Sequence, residues 1–413
     1  FAVIENEYWR SAGRSGGGAV MGSKNIKAIA FRGTRKRDFA DPEKVKSFAK
    51  ALARDAKENP GVLAYKSKGT PMMVDVMSGV GSFPTRYWHK GRASHQAAIN
   101  AAALHERMSV VPNACRKCFI ACGRLGTVKE GRHAGLKIEG PEYETIYAFG
   151  GLCEIETIEE VAYLNDICDR LGMDTISAGN LAALTIEASR QGRIDVEIDY
   201  GQVDRVASLL HDIAHRKGIG EVLSHGIKFA SKQWGMADQA IHVKGLEPAG
   251  YDPRVLKGMG LAYGTSPRGA CHLRTTFYKP ELSKMIDPEQ LEGKARMLAE
   301  WEDRLIIFDC LILCRFYRDL YQWEDLGKMI EAVTGLTLDV DAMRHIAGGI
   351  SDNTRRFNLQ EGLTPDDDRL PQRFHTERLP ETDKIISEEQ MDILLSDYYR
   401  VRGWDENGTP TAS

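Results

Sequence analysis

The sequence contains no run of about 18 apolar residues, the shortest that spans a bilayer as a helix, so no membrane span is expected. Charge of one sign is missing as well. Lysine and arginine number 55 against 58 acidic residues, a formal net charge of −3, which gives no reason to expect nucleic acid or an anionic membrane surface as a partner. Cysteine is sparse: eight in 413 residues cannot build a disulfide scaffold. No internal repeat and no low-complexity tract is visible. The opening residues, FAVIENEYWR, lack both a Met and the basic-then-apolar pattern of a signal peptide. The chain is therefore expected to begin inside a domain, whose first part was removed or belongs to another polypeptide.

What is present describes an ordinary globular protein, with 42% hydrophobic and 27% charged residues and room for two or three domains. Residues 11–30 open with glycines in a polar stretch and end in an alternating apolar run, which reads as a Gly-rich loop feeding a strand over 26–32. From Asp41 the pattern turns helical, with Asp41 as N-cap and Pro42 at the first helical position. Thr157 and Glu160 form a capping-box pattern before Val161, Leu164, Cys168 and Leu171, and Gly172 marks that helix end. Further helical patterns run over 175–191, 203–217, 220–234, 288–308, 323–334 and 387–400. Strand patterns are few, at 26–32, 136–139 and 240–243, so the chain is expected to be mainly α.

The cysteines are unevenly spread. CRKCFIAC at 115–122 gives Cys115-x2-Cys118-x3-Cys122, while Cys153, Cys168, Cys271, Cys310 and Cys314 are scattered. Three closely spaced thiolates suit an iron–sulfur cluster, whose irons take soft anionic ligands, and Cys314 in DCLILCRF is the best candidate for the fourth. A zinc site would call for a second C-x2-C, which does not occur, and the H-x3-H of His211 and His215 falls in an amphipathic helix far along the chain from the cysteines. A set of buried, unligated cysteines is the remaining alternative. A thiolate-ligated centre favours a reducing compartment, hence the cytoplasm.

Nine stretches in order resemble the aldehyde:ferredoxin oxidoreductase family over nearly the whole chain. They are AGRSGGGAVMGSKNIKAI at 12–29, GSFPTRYW at 81–88, CRKCFIAC at 115–122, GPEYET at 140–145 and NDICDRLGMDTIS at 165–177. YDPRVLKGMGLAYGTSPRGACHLR follows at 251–274, then DCLILCRF at 309–316, RRFNLQEG at 355–362 and YYRVRGWDENGTP at 398–410. The resemblance implies a tungsten (or molybdenum) bis-pyranopterin with Mg²⁺ on its phosphates and a [4Fe–4S] cluster alongside, ligated by Cys115, Cys118, Cys122 and Cys314. It implies a remnant of the β-rich cofactor domain over 1–35, a helical domain over 36–245 and a second over 246–413. Most of the first domain is expected to be missing, and the chain alone to be a poor enzyme.

The family has two D-x-x-G-L-(C/D) segments, one per pterin. Asp169, Gly172, Met173 and Asp174 match the first, with Met in place of Leu. Asp309, Leu313 and Cys314 match the second, where Ile312 replaces the Gly. A carboxylate can accept two hydrogen bonds from an aminopyrimidine edge, and Gly lets the backbone approach a ring; without the resemblance, the first segment reads as a helix end with a Gly C-cap. Arg10 and Ala12 stand where the family contacts phosphate and Mg²⁺, beside glycines that can form an anion nest.

Aldehyde oxidation needs proton management near the metal. The resemblance assigns this to Glu144 in GPEYET and His272 in ACHLR, with Glu142 as competitor. Read alone, Glu144 is a first-turn dipole partner and His272 a satisfied core histidine. The other cysteines read as small buried hydrophobes, Cys153 being the candidate if a thiol coordinates tungsten. The expected activity is oxidation of aldehydes to carboxylic acids, with electrons leaving to ferredoxin or an Fe–S partner subunit, in a protein that could be a homo-oligomer. The alternatives are a tungsten-dependent reductase of the benzoyl-CoA reductase type and a non-catalytic Fe–S carrier. Two pterin clamps, Asp169 and Asp309, argue against the carrier.

Overall fold

The computed structural model describes residues 1–411. Helix accounts for 51% of the chain, and the two sheets are small, as the patterning predicts. Strands β1 (Ile4–Asn6) and β2 (Arg10–Ala12) pair antiparallel, and the glycines after them form a short helix, Gly17–Ser23. Gly18 is required there: a Cβ would lie 2.4 Å from the Val3 carbonyl oxygen. The strand expected over 26–32 does not form. Its alternation has no neighbouring strand to pair with, and Ile29 and Phe31 are 60% and 92% exposed.

Most helices fall where periodicity and capping put them. Asp41 accepts a hydrogen bond from the Lys44 amide at 2.9 Å and starts Pro42–Asp55. Ile158–Leu171 ends on Gly172 at φ 68°, although Thr157 makes no side-chain cap bond, so the expected capping box is absent. The helices Thr175–Arg190, Val203–His215, Trp323–Thr334 and Glu388–Arg402 match expectation. The single helix expected over 220–234 is two, Ile219–Ser224 and Ile227–Gln233, broken at Gly226 with φ 85°. That over 288–308 starts at Lys294, because Gly293 before it is left-handed at φ 76°.

Strands β3 (Met108–Asn113), β4 (Gly123–Val128) and β5 (Lys137–Glu139) form an antiparallel sheet in that order. Of these only β5 was legible, and 240–243 reduces to an isolated bridge between Val243 and Leu246. The main core joins Phe83, Trp88, Tyr147 and Leu181 to Leu261, Phe277, Leu298 and Tyr398, and so draws on both sides of residue 245. Smaller cores gather around Leu305, Phe308 and Met343, and around Ala56, Val62 and Ile120. No described helix is long and apolar enough to cross a membrane.

Candidate active site and cluster loop

The turn between β3 and β4 carries the cysteine motif. Lys117 and Ala121 take positive φ, 64° and 51°, and the Cys118 amide donates to the Cys115 carbonyl at 2.9 Å, which winds the loop tightly. Cys118 and Cys122 pack with Ile120, Tyr65, Phe316 and Tyr317, and the Cys118 sulfur is 3.4 Å from the Tyr317 hydroxyl. Cys314 precedes the 3₁₀ turn Arg315–Tyr317, which brings it to the same place. Two of the thiols are shifted by their surroundings. Burial, then the charges of Glu142 and Cys314, push Cys122 up to about 12; burial and the charges of Cys118 and Cys115 raise Cys314. A cationic centre held between these thiols would offset such repulsion by its own charge. Among the described residues, no three or more His, Cys, Asp or Glu side chains are arranged to hold a single metal ion.

Glu144 lies in the short helix Tyr143–Thr145, which runs into a buried π-helical turn, Ile146–Gly151; such widened turns recur at functional sites. Its Oε2 accepts from the Gly250 amide at 3.0 Å, and its Oε1 stands 3.5 Å from His272 Nε2. Burial raises Glu144 to about 7, against the Gly250 hydrogen bond and the Arg14 charge. Burial, reinforced by Arg14, Arg268 and Arg318, drives His272 well below its ordinary value. The imidazole is therefore neutral beside a carboxyl that is half-ionised near pH 7. His272 Nδ1 is buried without a partner, and the ring stacks on Tyr251 at 5.9 Å. Glu142 takes a hydrogen bond from the Thr70 hydroxyl and is not paired with His272, which Glu144 meets. Glu142, Glu144, His272 and Cys314 all line one cavity of about 370 Å³.

Two further clefts flank the Gly-rich segment. One, about 260 Å³, is lined by Arg14, Ser15, Gly16, Ser177 and Glu247. The other, about 500 Å³, is lined by Ser15, Arg268, Arg274, Asp309 and Arg355. Polar nitrogens of Arg14, Arg268, Arg274 and Arg355 are buried there without partners, a donor set that fits an anionic, hydrogen-bond-rich group such as a pterin phosphate. Asp169 is lifted to about 7 by burial and the charge of Glu5, and accepts from Asn165 at 2.9 Å. Beside it nothing lies within 4 Å of where a Gly172 Cβ would be, so backbone approach is open. Met173 bridges to Ala2. Asp174 caps Thr175–Arg190 through the Ser177 amide at 3.0 Å and lies 3.4 Å from Arg14.

The second segment differs. Asp309 ends a helix and pairs with Arg274 at 2.6 Å and Arg315 at 2.8 Å. Ile312 keeps the left-handed backbone that a Gly would take, φ 55°, with its side chain 93% exposed, while Leu313 packs on the Leu305 core. Arg10 pairs with Glu139 and lies near the charges of Cys115 and Cys122, turning it toward the cluster loop. Ala12 is exposed in β2 opposite Ile4. Cys153 donates to the Ala148 and Gly179 carbonyls inside the core, which sets it among packing residues. Sequence reasoning missed Arg14, Arg268 and Arg274, although all three stand inside quoted motifs and two flank Cys271-His272.

A helical chain with a tightly wound cysteine loop and a buried Glu–His pair has the makings of a redox enzyme, and the comparisons give the family. The profile for "Aldehyde ferredoxin oxidoreductase, domains 2 & 3" matches residues 47–413, and that for the family's N-terminal domain matches 1–33. The tungsten-containing aldehyde ferredoxin oxidoreductase of Pyrococcus furiosus is 33% identical over 99% of this chain and 69% of its own length. That of Thermococcus kodakarensis is 32% identical with the same coverage. An aliphatic sulfonate oxidoreductase WOR-like subunit from Pyrococcus furiosus is 26% identical over 99% of this chain and 66% of its own. The active-site complex BamBC of benzoyl coenzyme A reductase shares the fold, with a TM-score of 0.78 at 20% identity, covering all of this chain and 70% of that one. The chain belongs to the aldehyde ferredoxin oxidoreductase family of oxidoreductases.

Proposed function

We propose that this protein oxidises aldehydes to carboxylic acids at a tungsten (or molybdenum) bis-pyranopterin centre, with electrons leaving through a [4Fe–4S] cluster to ferredoxin or an Fe–S partner subunit. The observation that carries the reading is the neutral His272 beside a Glu144 poised near pH 7, in a cavity that also reaches Cys314. Asp169, Gly172, Met173 and Asp174 would hold one pterin; Asp309 and Leu313 the other. Arg10 and Ala12 would serve the phosphates and Mg²⁺, and Cys115, Cys118, Cys122 and Cys314 the cluster. When bound, the metal group supplies the acceptor for the two electrons, and the cluster their one-electron outlet.

The chain's own residues manage the proton. Converting an aldehyde and water to a carboxylic acid releases two protons with the two electrons. Glu144, fixed by the Gly250 amide, takes a proton from the attacking water. A base whose pKa lies near the working pH is the efficient choice. His272, the weaker base of the two, stays neutral and orients the Glu144 carboxyl from Nε2 at 3.5 Å, and the surrounding rings of Tyr143, Tyr251 and Tyr278 keep bulk water away. The test compares Glu144→Gln with Glu142→Gln in the metal-loaded enzyme. Glu144→Gln should lower turnover by roughly 10²–10⁴-fold with tungsten and iron contents unchanged. Loss in the Glu142 variant alone would move the role to Glu142.

A further inference from the structure

The cavity that holds Glu144 and His272 is walled in part by aromatic rings. Tyr65 and Phe316 meet with centroids 4.5 Å apart, and Tyr251 and Tyr278 stack at 4.1 Å and 6°. Arg318 lines the same space and is only 2% exposed. It donates to the Arg315 carbonyl at 2.9 Å and reaches the Tyr278 hydroxyl at 3.5 Å, while its Nε is buried with no partner. Its sequence neighbour Asp319 is held by Lys279. Among the described residues, no carboxylate lies within ion-pair range of Arg318.

Arg124, also buried without a carboxylate, is satisfied by five backbone carbonyls, and other deeply buried cations are paired. Arg254 pairs with Asp252 at 2.6 Å, Lys294 with Glu281 at 2.6 Å and Arg402 with Glu302 at 2.5 Å. A buried charge is tolerated when paired and is costly otherwise. A guanidinium left unpaired in the wall of a reaction cavity is thus a ready counter-charge for whatever enters. Its planar fork suits a carboxylate, which it can grip through two parallel hydrogen bonds. The ring walls suit a flat aryl group, and about 370 Å³ is at the lower end of small-molecule pockets, room for a single ring.

We propose, building on the aldehyde-oxidising reading, that this cavity selects single-ring aromatic aldehydes bearing a carboxylate, with Arg318 receiving the carboxylate and the formyl group presented to Glu144 and His272. The competing account is that Arg318 balances the charge of the cluster held by Cys314, four residues away in sequence.

The experiment uses the metal-loaded holoenzyme and two readouts: kcat/KM for 4-formylbenzoate against benzaldehyde, and calorimetric binding of terephthalate against benzoate. The wild type should favour the doubly functionalised compound in both. Arg318→Met should reduce each preference about 10- to 100-fold, the range for a lost charge-assisted hydrogen bond, with Arg318→Lys between. Absence of any preference in the wild type overturns the proposal, whether or not the Met variant folds. So does an unchanged preference in Arg318→Lys and Arg318→Met accompanied by a shifted cluster reduction potential, which assigns Arg318 to the cluster. If no aldehyde is oxidised but terephthalate still binds in an Arg318-dependent way, the aldehyde reading fails and the carboxylate subsite stands.

Discussion

At the scale of single residues, the candidate site sets two titratable groups in opposed environments. Burial pushes an acid up and a base down, so Glu144 at about 7 and a strongly depressed His272 exchange their usual order of basicity. If Glu144 is the base, kcat/KM should rise with pH along a limb centred near 7. His272, depressed well below its ordinary value, should give no limb of its own in the neutral range. In Glu144→Gln the limb should vanish along with most of the rate. A limb that survives in that variant would assign the titration to another group. The cysteines separate in the same way. Cys118→Ala should reduce bound iron to traces and abolish the cluster's magnetic signal on reduction, since Cys118 packs beside Cys122 in the loop that carries the cysteine motif. Cys153→Ala should retain both iron and tungsten, because Cys153 bonds only to core carbonyls.

Secondary-structure elements place these residues, and some were easier to read than others. Helices with clear caps, such as Pro42–Asp55 behind Asp41, were visible because capping and periodicity are local properties. The hairpin that presents Cys115, Cys118 and Cys122 was not. β4 reads Gly-Arg-Leu-Gly-Thr-Val, and its glycines erase the alternation, so only its partners reveal it. The opposite failure is the 26–32 segment, where alternation is present and a partner is not. Glu144 and His272 were found by motif, but their 3.5 Å approach joins segments more than a hundred residues apart, which no local pattern encodes. The loop at Gly250 makes that junction. A Cβ there would lie 2.7 Å from the Tyr147 ring and 3.0 Å from Tyr143. Gly250→Ala should therefore destabilise by about 1–3 kcal/mol through overpacking. It should also displace the amide that holds Glu144, moving the pH limb. Denaturant midpoints and the pH profile measure the two effects separately.

For the molecule as a whole, buried ionisable groups make stability depend on pH, and the sign follows from which state binds more protons. Glu144 and Asp169 both sit at about 7 in the folded, cofactor-free chain, above the 4.5 and 3.8 of their ordinary environments. Between those limits the folded state holds more protons than the unfolded. Their contribution is therefore fully present at low pH and is lost as pH rises toward 7. His242, depressed to about 4 by burial, acts the other way: the unfolded state binds its proton first, so its contribution grows as pH rises from about 4 to 6.5. The two kinds of group oppose each other through the mildly acid range, and only the carboxyls remain above it. The double variant Glu144→Gln, Asp169→Asn isolates their share. Wild-type stability minus variant stability, read from urea midpoints of the cofactor-free chain, should fall as pH is raised from about 4.5 to 7. Its slope should approach about 1.4 kcal/mol per pH unit for each group. A flat difference would mean that the two carboxyls are not shielded from water in the folded chain. That would also remove the basis for a half-protonated Glu144 at neutral pH.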